Sequence, residues 1–148
     1  MTSRRKSLKI SAVIFVAAFL VAQAFRIDKT NPSVQSEIQA DPAVQPLLRR
    51  ACYNCHSNET VWPWYSNVAP ASWLVASDVR EGRSHVNFSE WGGYGSDVQS
   101  HKLADIAGEV RDGEMPLWYY TLAHPEARLS PAERSRIQGW AEAASEVK

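Results

Sequence analysis

The sequence predicts an all-α fold. About four short amphipathic helices are joined by long aromatic-rich connections and preceded by a single hydrophobic N-terminal helix. Three observations carry this reading. Apolar residues recur three and four positions apart in separate stretches of the body, the spacing that lines one face of a helix. No run alternates apolar and polar residues over a useful strand length. Two stretches open with helix-capping residues, Asp41-Pro42 and Ser130-Pro131-Ala132-Glu133. A length of 148 residues suits one small domain, and 45% apolar with 22% charged residues excludes a disordered or collagen-like chain.

The N-terminal element comes first. The first 26 residues hold Arg4, Arg5, Lys6, Lys9 and Arg26 and no acidic residue, and residues 10–22 are apolar except for Ser11. Basic residues ahead of an apolar run direct a chain to a membrane with the basic end kept in the cytoplasm. A spanning helix needs about 20 mainly apolar residues, which residues 8–27 just supply, with Lys9, Ser11, Gln23 and Arg26 near the ends. Residues 1–27 are therefore expected to be a signal peptide or membrane anchor that places the body in the bacterial periplasm at the inner membrane. Ala22-Gln23-Ala24 has the small-x-small form of a cleavage site, which would release a soluble form, but the apolar run continues to Phe25 and Ile27 and favours an uncleaved anchor. Arg4-Arg5 resembles a twin-arginine signal and is read as positive-inside charge. The formal net charge of +0 thus conceals a basic leader and a body of 11 basic and 16 acidic residues, net −5. Such a body excludes a strongly basic nucleic-acid binder.

Residues 28–40 are polar and without periodicity, and read as a linker to a body over residues 41–148. Asp41 caps a helix with Pro42 at its first position, carrying Val44, Leu47 and Leu48 and running to about residue 51. A second helix over about 70–82 turns Trp73, Leu74 and Val79 inward and Asp78, Arg80 and Glu81 outward. Gly92-Gly93-Tyr94-Gly95 reads as a flexible break. A third helix over about 96–112 presents Leu103, Ile106, Ala107 and Val110 on one face, and Gly113 stops it. In the last helix Ser130, Pro131 and Glu133 form a capping box, with Ile137, Trp140 and Ala141 as the buried stripe. These helices make a thin core, and the six Trp need something large to pack against.

The chemistry lies in Cys52-Tyr53-Asn54-Cys55-His56, a Cys-x-x-Cys-His run. In an exported chain this is the attachment signature of c-type haem. Two thiols three residues apart can each form a thioether with one haem vinyl group, and the next residue, His56, supplies an axial nitrogen to the iron. The rivals are weaker: a redox dithiol calls for a thioredoxin-like αβ pattern, zinc for two more ligands near the pair when His85, His101 and His124 are scattered, and a disulfide would close a tiny loop. For the second axial position the candidate is Met115 in Gly113-Glu114-Met115-Pro116, with His124 and then His85 as competitors and His101 placed mid-helix. Ordinary core filling is the alternative for Met115.

The run from Cys52 through Trp62-Pro63-Trp64-Tyr65 and Ala71-Ser72-Trp73-Leu74 to Asn87-Phe88-Ser89-Glu90-Trp91 resembles the bacterial haem-binding domain family. Glu114-Met115-Pro116, Trp118-Tyr119-Tyr120 and His124-Pro125-Glu126-Ala127-Arg128-Leu129-Ser130 extend the likeness over nearly all of residues 41–145. The resemblance implies a small cytochrome-c-like domain with one covalent haem, His56 and Met115 on the iron, and an exported, often membrane-anchored chain. It departs from the pattern at Leu117, where Pro is usual.

Around these residues, Trp62, Trp64, Tyr65, Trp73, Trp118, Tyr119 and Tyr120 are expected to exclude water near a haem or to fill the core. The second ring nitrogen of His56 is expected to bond a carbonyl within residues 63–70. Arg80, Arg83 and Arg128 are candidate propionate partners or surface charges. The function these features imply is one-electron transfer by haem c, with no enzymatic step and with a redox protein partner that presents a basic docking surface. The alternatives are a haem sensor or peroxidase-like enzyme with an open sixth position, and a module whose haem is structural.

Overall fold

The basic and apolar parts of the leader form one helix, α1 (Thr2–Ala22). In this computed structural model residues 2–146 are described. Residue 1 and residues 147–148, the outer ends of the expected leader and body, lie outside the described residues. The helix stops short of the expected residue 27. The amides of Gln23, Ala24 and Phe25 turn back to the carbonyls of Leu20, Val21 and Ala22 at 3.0–3.2 Å, and the Gln23 side chain pairs with the backbone of Ala69. The apolar part, residues 10–22, rises only about 20 Å, against the roughly 30 Å of a bilayer core. No helix among the described residues is long and apolar enough to cross a membrane.

The chain forms two compact units. One takes in the N-terminal residues through Thr30 together with Trp62–Asp78, so that residues 62–78, grouped by sequence with the body, belong with the leader. The other holds Asn31–Val61 and everything from Val79 onward. Seven α-helices build the described residues, and their only strand-like pairing is an isolated bridge between Ser36 and Glu90. The all-α expectation holds.

In the larger unit, residues 31–40 carry no helix, yet they are packed chain and not a free linker. Ser36 and Ile38 donate to the carbonyls of Ser89 and Phe88 at 3.1 and 2.9 Å, and Ile38 is fully buried. The next helix, α2 (Gln45–Ala51), begins later than Asp41 and has Pro46, not Pro42, in its first turn. Asp41 closes a separate turn, its carboxylate accepting from Ala43 at 2.8 Å and its carbonyl from Val44 and Gln45. Val44, Leu47 and Leu48 are buried as expected.

A single turn, α3 (Tyr53–His56), follows. Helix α4 (Ala71–His85) is longer than predicted and passes from one unit into the other. Val79 is buried, but Trp73 and Leu74, expected inward, are 42% and 51% exposed. The glycine stretch after it is ordered. It forms a 3-10 turn at Trp91–Gly93, and Gly92 sits so close to Ser36 that any Cβ would overlap its hydroxyl. Helix α5 (Ser96–Asp112) keeps its predicted bounds and ends at Gly113, whose φ of 80° is the left-handed cap conformation. A helix not predicted, α6 (Trp118–Ala123), precedes α7 (Pro131–Glu146). α5 and α7 pack along each other, and Leu103, Ala107, Val110, Ile137 and Ala141 share one core with Ile38, Leu48 and Phe88.

The capping box of α7 forms as read. Ser130 N donates to the Glu133 carboxylate at 2.8 Å, Glu133 N donates to Ser130 Oγ at 3.3 Å, and Arg50 from α2 adds an ion pair at 2.8 Å. The backbone amide of Ser130, then Arg50, hold the Glu133 carboxyl down at about 2 from an ordinary 4.5. A depressed carboxyl stabilises the fold fully above its unfolded value, and that contribution is lost as pH falls through the folded value. Glu133→Gln should therefore be less stable than the native chain at pH 7, and the gap should close between about pH 4.5 and pH 2. Thermal melts followed by circular dichroism across that range test it. A gap that does not change with pH would refute the assignment.

Candidate functional site

Cys52 ends α2 and starts α3. Its amide reaches the Leu48 carbonyl at 2.8 Å, while its own carbonyl accepts from Cys55 and His56 at 3.1 and 2.9 Å. One helical turn thus carries both thiols and the imidazole, and neither cysteine is in a disulfide. The His56 ring bonds the Val86 carbonyl through Nδ1 at 3.2 Å, which leaves Nε2, on the opposite edge, as the nitrogen for a metal. The partner is not in residues 63–70. The carbonyl that meets it is that of Val86, just past the end of α4. The backbone agrees, since Phe88 N donates to the His56 carbonyl at 2.8 Å.

A polar clamp absent from the sequence reading locks this register. Ser57, Asn58, Asn87 and Ser89 are all buried. Asn87 donates to Asn58 Oδ1 at 2.8 Å, Asn58 N to Ser89 Oγ at 3.0 Å, and Arg83 Nε to the Ser57 carbonyl at 2.8 Å. Arg83 also reaches Thr60 Oγ1 at 3.0 Å, and Thr60 Oγ1 donates to the Asn54 carbonyl at 2.8 Å. Arg83 is thus a structural clamp, while Arg80 and Arg128 are exposed. The sequence signal for the clamp was the cluster of short polar residues on both sides of the pair, which reads equally as loop. Gly82 brings α4 against the motif: a Cβ there would lie 2.7 Å from the Cys55 carbonyl oxygen and 3.1 Å from Cys55 Cβ.

The two variable positions of the motif are also held. Tyr53 is buried, packs on Phe88 with ring centroids 5.2 Å apart, donates to Glu37 at 2.8 Å and accepts from Gln45 at 3.0 Å. Burial first, then the Glu37 carboxylate, hold its phenol well above the ordinary range. Asn54 accepts from Val61 N at 3.0 Å and donates to Tyr120 Oη at 2.8 Å.

The thiol and imidazole environments bear on the rival readings. A redox dithiol works through a lowered thiol pKa, whereas burial, with Cys55 adding to it, pushes the Cys52 thiol up to about 12. No group of three or more His, Cys, Asp or Glu among the described residues is arranged to hold a metal ion, as zinc would need. Burial lowers the His56 pKa, which favours the neutral ring that keeps a lone pair for a metal. Two thiols outside any disulfide and an oriented imidazole on one turn fit covalent haem.

Met115 lies after Gly113 and is half-buried. Its amide donates to the Glu109 carbonyl at 3.2 Å, and its carbonyl accepts from Arg134 at 2.8 Å, which also caps Val110 at 3.1 Å. The segment that follows is tied to the motif by the Asn54–Tyr120 bond. His124 stacks on Tyr120 at 4.4 Å and bonds Glu126 at 2.9 Å. His85 and His101 are exposed, the latter paired with Asp105. Trp118 and Trp64 are 73% and 78% exposed, so neither is core filling in the described chain, and Trp62 keeps a buried indole N–H without a partner.

A family model described as a haem-binding domain matches residues 17–143 of the chain. No curated protein and no solved structure matches it.

Gly82→Ala should force α4 and the motif apart, because the added Cβ meets backbone and not a flexible side-chain tip. The expected cost is about 1–3 kcal/mol, together with a lower ratio of bound haem to protein. Denaturant melts and a haem assay on the purified variant measure both. A variant with native stability and full loading would show that the close approach is not needed.

Proposed function

The chain belongs to the haem-binding domain family, and on that footing we propose that it is a mono-haem c-type electron carrier of the bacterial periplasm, tethered to the inner membrane by its N-terminal segment. The observation that carries the proposal is the single turn bearing Cys52, Cys55 and the Val86-oriented ring of His56. Bound haem supplies a ferric–ferrous couple that accepts and gives up one electron. Cys52 and Cys55 would hold it covalently, each thiol as a thioether. His56, through Nε2, and Met115, through its sulfur, are the side chains that would ligate the iron. The Val86 carbonyl fixes the tautomer of His56 and raises its basicity, as outer partners do at metal sites. No substrate bond is made or broken.

Two further parts rest on charge and hydropathy. Arg4, Arg5, Lys6 and Lys9 ahead of residues 10–22 support export with the basic end retained inside. The net −5 of the remaining chain supports association with a redox protein that presents a basic surface, with a rate that falls as salt rises.

Haem should stay with the chain through denaturation and acid-acetone extraction, and Cys52→Ala with Cys55→Ala should release it. Clean extraction from the native chain would overturn c-type attachment. Met115→Ala should abolish the sulfur–iron charge-transfer band of the oxidised protein while leaving the helical circular dichroism unchanged. An identical spectrum would remove Met115 from the iron and favour an open-position sensor or peroxidase-like site.

A further inference from the structure

The smaller unit carries an exposed, uncharged aromatic stretch. Residues 62–77 contain no Asp, Glu, Lys or Arg, in a chain where 22% of residues are charged. Trp64, Trp73 and Leu74 in this stretch are exposed, as is Phe25 just beyond α1. Large apolar side chains in water signal a surface that meets something else. Water-facing Trp at the end of an apolar helix is what a membrane interface selects, because the indole buries its ring while its N–H keeps a polar partner.

Hydrogen bonds join the stretch to the end of α1. The Gln23 amide donates to the Ala69 carbonyl at 3.2 Å and accepts from Ala69 N at 2.9 Å. Trp73 Nε1 donates to the Phe25 carbonyl at 3.1 Å, and Lys29 bonds Asn67. Wherever the end of α1 sits, these residues sit with it. Since the apolar part of α1 rises about 20 Å against a core of roughly 30 Å, the helix alone is a weak tether, and a short apolar segment gains hold through interfacial anchors.

We propose that residues 62–74 and Phe25 form a membrane-interface collar, with Trp64, Trp73 and Leu74 seated among the lipid headgroups where α1 meets the bilayer. This rests on the membrane-tether reading above. Lipid is the occupant because the surface is continuous with the exposed apolar helix, and because a basic redox partner would find no carboxylate on it. The collar also requires Gln23 to be retained, so the mature chain is not cut after Ala24.

The test uses the full, haem-loaded chain in vesicles of phosphatidylethanolamine and phosphatidylglycerol, with and without bromine on the acyl chains. Bromine should quench tryptophan emission in the native chain, and most of that quenching should vanish in Trp64→Ser with Trp73→Ser. In cells, the same double variant with Leu74→Ser should be released by alkaline carbonate at least about tenfold more than the native chain, while Trp64→Phe with Trp73→Phe should stay bound. Haem content and circular dichroism establish that each variant is folded. If the Ser variants are quenched and retained like the native chain, the collar is wrong and the tether stands. If the native chain is soluble and its mass lacks residues 1–24, the tether reading fails and the collar with it. If the Ser variants keep native quenching but lose electron exchange with a redox protein, the surface binds protein and the collar is overturned.

Discussion

His56 is held at both ends by one short piece of chain. Its ring bonds the Val86 carbonyl and its backbone carbonyl accepts from Phe88. Much of the larger unit follows from that pair. Phe88 carries Ile38 with it through a backbone bond, which draws Ile38 into the core. The polar residues between these points cannot be left unpaired, since an unsatisfied buried group costs about 1–3 kcal/mol. Ser57, Asn58, Asn87 and Ser89 therefore bond each other or nearby backbone, and Arg83 closes the set. Gly82 is the steric condition for the whole arrangement.

The first turn of α7 contacts both the segment before the thiols and the segment of Met115. Glu133 pairs with Arg50, two residues before Cys52. Arg134, the next residue, bonds the carbonyl of Met115. One helix start, fixed by its own capping box, thus restrains the segment that carries the thiols and the segment that carries the proposed sulfur ligand. These two arginine contacts add to the shared core, in which Leu48, Ala51 and Tyr53 pack with α5 and α7 residues and Cys52 lies against them.

What local sequence could reveal here was local physics. The bounds of α5 follow from its apolar stripe and Gly113, and the start of α7 from Ser130, Pro131 and Glu133, all decided within a few residues. The motif turn is equally local. The misreadings share one cause. The carbonyl that meets His56, the role of Gly92 against Ser36 and the burial of Ile38 depend on partners 30 or more residues away. Trp73 and Leu74 fit an inward helix stripe by spacing alone, and which way a stripe faces is set by its neighbours. The leader ended early because hydropathy counts residues, while Gln23 leaves the helix to pair with Ala69.

The five-residue attachment signature specifies three residues and leaves two open. In this chain the open two are the committed ones. Tyr53 is built into the core through Phe88, Glu37 and Gln45, and Asn54 joins the loop at Val61 to α6 at Tyr120. The fixed letters carry the chemistry that any such site shares, and the free letters carry the address of this particular fold. A signature transplanted from another chain would bring the right reagents and the wrong coordinates.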